Sequence, residues 1–150
     1  MSEEAQSRDI RAIERLLYDY SWHLDMNDPD ALAALFTEDC EASFAAGFSV
    51  NGRAMLRERL GGIGTYFRAT SHHNSNIAID FIDADSAAVR SSVFAVHEYV
   101  EDRPLGLLHG QYIDLVVRHG DGWKFHRREL RTAIAQHFHI AAGNPTGRNP

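Results

Sequence analysis

The apolar pattern changes period near residue 70, and that change predicts the fold. Before it, Ile13, Leu16, Leu17, Tyr20 and Leu24 recur at offsets of three, four, seven and eleven. That spacing is one face of a helix over about 7–26, with Ser7 as its candidate cap. Asn27-Asp28-Pro29 ends it and opens a short helix, Asp30–Phe36, where Pro29 suits a first helical turn. Thr37-Glu38-Asp39 turns the chain into a short strand near Cys40–Ala46, Asn51-Gly52 is a turn signal, and Arg53–Leu60 reads as a third helix. After residue 70 the period is two, with strands expected at about 71–82, 86–100, 106–118 and 122–135. Ala84-Asp85 and His119-Gly120-Asp121-Gly122 are the hairpin-like turns between them.

Helix, helix, strand, helix and a four-strand meander make an α+β protein. Long antiparallel strands curl under their own twist. The expected architecture is therefore a cone-shaped half-barrel, with N-terminal helices packed on a curved, mostly antiparallel sheet. One domain is expected over 1–140, with 141–150 as a tail that frays or packs on a neighbour. Both strand faces carry apolar residues, among them Ile77, Ile79, Val89, Val93, Phe94 and Val96. Helices cover one face, and the other calls for a partner subunit, so a homodimer is expected.

A formal net charge of −6, with dispersed basic residues apart from Arg127, Arg128 and Arg131, argues against a nucleic-acid partner. No apolar run approaches a membrane span, and the N-terminus is acidic and polar. A single cysteine, Cys40, excludes a disulfide framework, so the expectation is a cytoplasmic protein. Nine histidines invite a metal reading, yet no His-x-x-x-His helix and no Cys/His cluster is present, so no metal is expected. Gly61-Gly62-Ile63-Gly64 neither follows a strand nor opens a helix, which excludes a phosphate loop. Ser71, Ser75 and Cys40 lack a nucleophile motif.

One ordered series of segments carries a resemblance. A helix ending in Asp25 precedes Asp30-Ala-Leu-Ala-Ala-Leu-Phe-Thr-Glu-Asp39. Gly52, Ser71-His72-His73-Asn74-Ser75-Asn76 and Gly110-Gln-Tyr112-Ile-Asp114-Leu-Val-Val-Arg118 follow, and Asp121-Gly-Trp123-Lys-Phe125-His-Arg-Arg128 closes the series. Together, over roughly residues 8–135, these resemble the SnoaL-like branch of the nuclear transport factor 2-like superfamily. Its members include polyketide cyclases, scytalone dehydratase, a bile-acid dehydratase and a hexachlorocyclohexane dehydrochlorinase. The resemblance implies a cofactor-free lyase or isomerase of dehydratase or cyclase type acting on a small hydrophobic, ring-like molecule. It places Asp25 and His72 at the family's catalytic Asp and His, and Tyr20 at the catalytic Tyr of the bile-acid dehydratase. Arg128 falls at a pocket Arg, and His97 at the second His of scytalone dehydratase. The dehydrochlorinase has Lys in place of Tyr20, a departure that counts against that particular chemistry.

The residue types suit the role. A neutral imidazole accepts a proton near neutral pH, and a carboxylate on its other nitrogen fixes the tautomer. By spacing alone, Asp25 also reads as a solvent-facing helix end and His72 as a strand-edge residue. His73, adjacent, points to the opposite face from His72, and by parity it shares that face with Ile77, Ile79 and Phe81. Arg128 and Tyr112, the latter sharing parity with Asp114, are candidates to bind a substrate oxygen. A purely structural cross-strand ion pair between Arg128 and Asp114 is the alternative. His97 could serve as acid to a leaving group or be a half-buried strand-end histidine. Trp22, Phe44, Phe67 and Val93 join Tyr20 and Tyr112 as candidate cavity wall. Two other functions remain open at this point: a non-catalytic ligand-binding or association module, and a subunit resembling the β subunit of ring-hydroxylating dioxygenases.

Overall fold

Helix α1, Glu3–Asp25, starts earlier than the periodicity suggests. Ser2, not Ser7, is its cap, accepting from the Ala5 N–H at 3.2 Å, and Glu3 and Glu4 complement the helix dipole in the first turn. Ser7 accepts instead from Arg11 one turn later, at 2.6 Å. The buried stripe is the expected one: Ile13, Leu16, Leu17, Tyr20 and Leu24. Asn27 takes a left-handed φ of 51°, and Asp28 caps α2, Pro29–Ala34, through the Ala31 N–H at 3.0 Å.

The computed structural model describes residues 2–45, 47–140 and 143–148. Strand β1, Phe36–Ala45, begins four residues before the predicted start. Phe36 pairs in parallel with Phe125, and the Phe125 N–H reaches the Leu35 carbonyl at 2.9 Å. That long-range pairing takes Leu35 and Phe36 away from α2. The predicted strand end, Ala46, lies outside the described residues. Strand β2, Phe48–Asn51, unanticipated, returns antiparallel on β1 after Gly47 at φ 79°. Helices α3, Arg53–Gly61, and α4, Ile63–Tyr66, lead into the meander.

The meander is β3 Phe67–Phe81, β4 Ser86–Tyr99, β5 Gly106–His119 and β6 Gly122–Gln136. The sheet is open and mixed, in the order β2-β1-β6-β5-β4-β3, with β1 on β6 the parallel step of that path. Part of the tail adds a seventh strand, β7 Asn144–Pro145, parallel to β6, and Asn144 donates to the Leu130 carbonyl at 3.0 Å. Tail residues 141–142 and 149–150 lie outside the described set.

A bulge between Ser75 and Ala78, with Asn76 at φ 52°, corrects the parity argument for β3. Before the bulge His72 pairs with buried Ala95 and His73 faces outward; after it Ile79 and Phe81 pair with buried Val89 and Ala87. Ile77, Ile79 and Phe81 therefore pack on the core, on the face opposite His73. One extra residue in a strand flips every later side chain. Among the described residues, no helix is long and apolar enough to cross a membrane.

Candidate active site

β3 is the free edge of the meander, and the C-terminal end of α1 closes that edge. Asp25, the last residue of α1, makes the closure. One carboxylate oxygen accepts the His72 backbone N–H at 2.9 Å, and the other accepts Thr70 Oγ1 at 2.8 Å and His72 Nδ1 at 2.6 Å. Burial would raise this carboxyl, but the side-chain and backbone bonds from His72, the imidazole's charge and Thr70 outweigh it and hold Asp25 below its ordinary value. A carboxylate only accepts, so the Nδ1 of His72 carries the hydrogen, and in the neutral form of the ring it is Nε2 that keeps a lone pair. Next along β3, Asn74 ties the strand to α1 through the Leu17 carbonyl at 3.2 Å and Ser21 Oγ at 2.8 Å.

His72, its side chain 7% exposed, lines a cavity of about 90 Å³ between the helices and the concave sheet face. The wall is mostly apolar, with Leu24, Phe44, Phe48, Leu60, Ile63, Phe67, Leu108 and Leu130. Tyr20, Thr70, His97, Tyr112 and His139 bring the polar groups. Asp25 stands behind His72, on a groove outside the cavity. His72 thus lies in the wall between cavity and groove, with Asp25 holding its outer side.

His97 sits edge-on to His72, ring centroids 5.1 Å apart. Burial, then the neighbouring His72 and His139, push its pKa down to about 3, so it is neutral near pH 7. Its buried Nδ1 has no partner among the described residues. Phe138 and His139, following a left-handed His137 at φ 51°, fold over His97 at ring distances of 4.9 and 6.3 Å. The Tyr99 hydroxyl and Arg103 both donate to the His137 carbonyl, at 3.2 and 3.0 Å.

The structure brings together His72, Asp25, Tyr20, His97, Tyr112, Phe44 and Phe67. Three candidates fall elsewhere. Trp22 is 62% exposed, because position 22 faces away from the Leu17–Tyr20–Leu24 stripe; it borders the outer groove. Val93 is buried core and not cavity wall, paired with Asn74 and Gly110 on the neighbouring strands. Arg128 is fully buried away from the cavity. Its Nε and Nη2 donate to the two oxygens of Asp114 at 2.9 Å each, and its guanidinium carbon lies 4.0, 3.9 and 4.1 Å from the ring centres of Tyr20, Tyr112 and Phe125. Burial works against its charge, but Asp114 more than offsets this and raises Arg128 above its ordinary value. The cross-strand ion pair is the arrangement found.

Sequence reasoning missed Thr70, Asn74 and the Phe138–His139 flap. Thr70 shares strand parity with His72, a usable signal; Asn74 and the flap depend on how α1 and the end of β6 dock. Among the described residues, no group of three or more His, Cys, Asp or Glu side chains could hold a metal ion.

An open curved sheet, helices on its concave side and an Asp–His pair at the cavity wall define the class of this protein. The chain belongs to the SnoaL-like domain family, whose model matches residues 5–129, within the nuclear transport factor 2-like superfamily. Over 99% of its length it is 53% identical to, and superposes with a TM-score of 0.96 on, the whole of a provisionally assigned scytalone dehydratase from Novosphingobium aromaticivorans. An uncharacterized protein of Mycobacterium tuberculosis is 31% identical over 126 residues, 83% of this chain and 85% of that protein. The hexachlorocyclohexane dehydrochlorinase LinA-type3 from Novosphingobium barchaimii shares the fold, with a TM-score of 0.82 at 19% identity over 93% of this chain and 99% of that one.

Proposed function

We propose that this protein is a cofactor-independent lyase or isomerase, of dehydratase or cyclase type, acting on a small uncharged hydrophobic molecule that carries a ring. One observation carries the reading: an imidazole whose Nδ1 is held 2.6 Å from a carboxylate lines an otherwise mostly apolar cavity. His72 Nε2 takes a proton from a substrate carbon, the freed electron pair forms a double bond, and the carbon–oxygen bond to the leaving hydroxyl breaks. Asp25 balances the imidazolium. His97, held neutral, has no spare proton to give, so the proton returns from His72 to the departing hydroxide as water. In the cyclase variant the same base forms an enolate whose carbon attacks an internal carbonyl, and His72 returns its proton to the alkoxide that results. Tyr20 polarises a substrate oxygen. The 53%-identical scytalone dehydratase assignment supports the dehydratase form.

The test offers scytalone and related cyclic hydroxyketones and follows the absorbance of the dehydrated product. His72→Ala lowers kcat/KM by on the order of 10²–10⁴-fold. If compounds move the His72 imidazole resonances but none is turned over, the catalytic reading fails and a binding module takes its place.

A further inference from the structure

The proposed chemistry leaves one buried charge unexplained. Arg128 is fully buried, and Asp114 satisfies its Nε and Nη2, but Nη1 has no acceptor among the described residues. Apolar side chains of similar volume would fill such a site at lower cost. The guanidinium lies instead among aromatic rings, and two of the three, Tyr20 and Tyr112, line the cavity edge-on to each other with centroids 5.8 Å apart. Among the described residues, the cavity-lining side chains include no Lys or Arg. Arg128 thus reaches the cavity through the two phenols.

We propose that Arg128, held by Asp114, and Tyr112 are positioning residues that act through Tyr20, stabilising the negative charge that builds on its oxygen as its hydroxyl donates to an oxygen of the substrate. The inference rests on the reading of Tyr20 as a group that faces substrate. Burial raises the Tyr20 phenol, so it keeps its proton near pH 7 and has a hydrogen to donate. Arg128, stacked on the Tyr20 ring, is the largest opposing influence, Asp114 partly cancels it, and the Tyr112 phenol stands edge-on beside the same ring. The unused Nη1 is free to strengthen its interaction as charge develops, which favours the transition state over the ground state. With the cation screened behind phenols, the substrate atom at this end is an uncharged carbonyl or ether oxygen rather than a carboxylate or phosphate.

The test needs no substrate. Difluorotyrosine, whose phenol titrates below that of tyrosine, is placed at position 20 of the full chain and its phenolate absorbance followed against pH. Tyr112→Phe, which keeps the ring against Arg128, raises the midpoint, and Asp114→Asn lowers it, each by about one to two pH units. Asp114→Glu, retaining the charge, stays close to the parent and substitutes as the control if Asp114→Asn does not fold. A purely structural role for Tyr112 would change stability and leave the titration in place. Silence of both variants, or a position-20 phenol that does not ionise before alkali unfolds the chain, overturns the proposal. A silent titration alongside loss of turnover in His72→Ala sinks this inference alone. A responsive titration with no turnover by the parent sinks the catalytic reading alone.

Discussion

Asp25 has two jobs, and Asp25→Ala separates them. The substitution removes the acceptor of three hydrogen bonds: His72 N–H at 2.9 Å, His72 Nδ1 at 2.6 Å and Thr70 Oγ1 at 2.8 Å. Bonds to a charged acceptor contribute about 1.5–3 kcal/mol each in buried settings. The Asp25 side chain is 17% exposed and borders an outer groove, so water can satisfy part of what is lost. That discount brings the expected cost to about 2–4 kcal/mol, against about 1–2 for Asp25→Asn, which keeps an acceptor oxygen. Urea unfolding near pH 7 measures it, as a lower midpoint at unchanged slope. The pH dependence has a definite sign. The folded carboxyl is depressed, so its contribution is complete above the unfolded value of about 3.9 and is lost as pH falls through the folded one. Wild type and Asp25→Asn should therefore converge in acid. If Asp25→Ala lies within about 0.5 kcal/mol of wild type, near the noise of surface substitutions, α1 is not fastened to β3 by this residue.

Other expectations follow from the same geometry. The native protein does not protonate His97 until about pH 3, whereas an unfolded histidine does so near 6.5; wild type should lose stability as pH falls through that window, and His97→Phe should flatten the loss, read from urea midpoints across the range. Asp114→Ala, by leaving Arg128 as an unpaired buried charge, should cost about 3–5 kcal/mol, while the double change Asp114→Leu with Arg128→Met should recover most of it; equal costs would contradict the ion-pair account. The outer sheet face carries a stacked row, His73–Phe94–His109, at ring distances of 6.2 and 4.5 Å, with Val96 two residues on from Phe94 along the same face. A homodimer through this face is proposed: sedimentation should give a dimer at micromolar concentration that Phe94→Glu dissociates, and a stable wild-type monomer would end the idea.

Periodicity alone was enough for the N-terminal helical stripe, the long strands and the turns between them, because burial on one face writes a period of 3.6 or 2 directly into the chain. The resemblance marked Asp25, His72, Tyr20, His97 and Arg128 as site candidates, and aromatic character added Tyr112, Phe44 and Phe67; the folded chain places all of these but Arg128 at a single cavity and its back wall. What failed to read out depended on contacts distant in sequence. Phe36 left the second helix for a parallel pairing 89 residues away, and β2 formed because β1 offered an edge. A single extra residue at Asn76 reversed the facing of Ile77, Ile79 and Phe81, which no alternation count reveals. Arg128 illustrates the limit most clearly. Parity puts it on one strand face with Leu130 and Thr132, but whether that face met a ligand or Asp114 was decided by the β5–β6 register, which sets Asp114 directly opposite it, and by three aromatic rings that close over it. Local spacing determines which way a side chain can point; only the packed structure determines what is there to receive it.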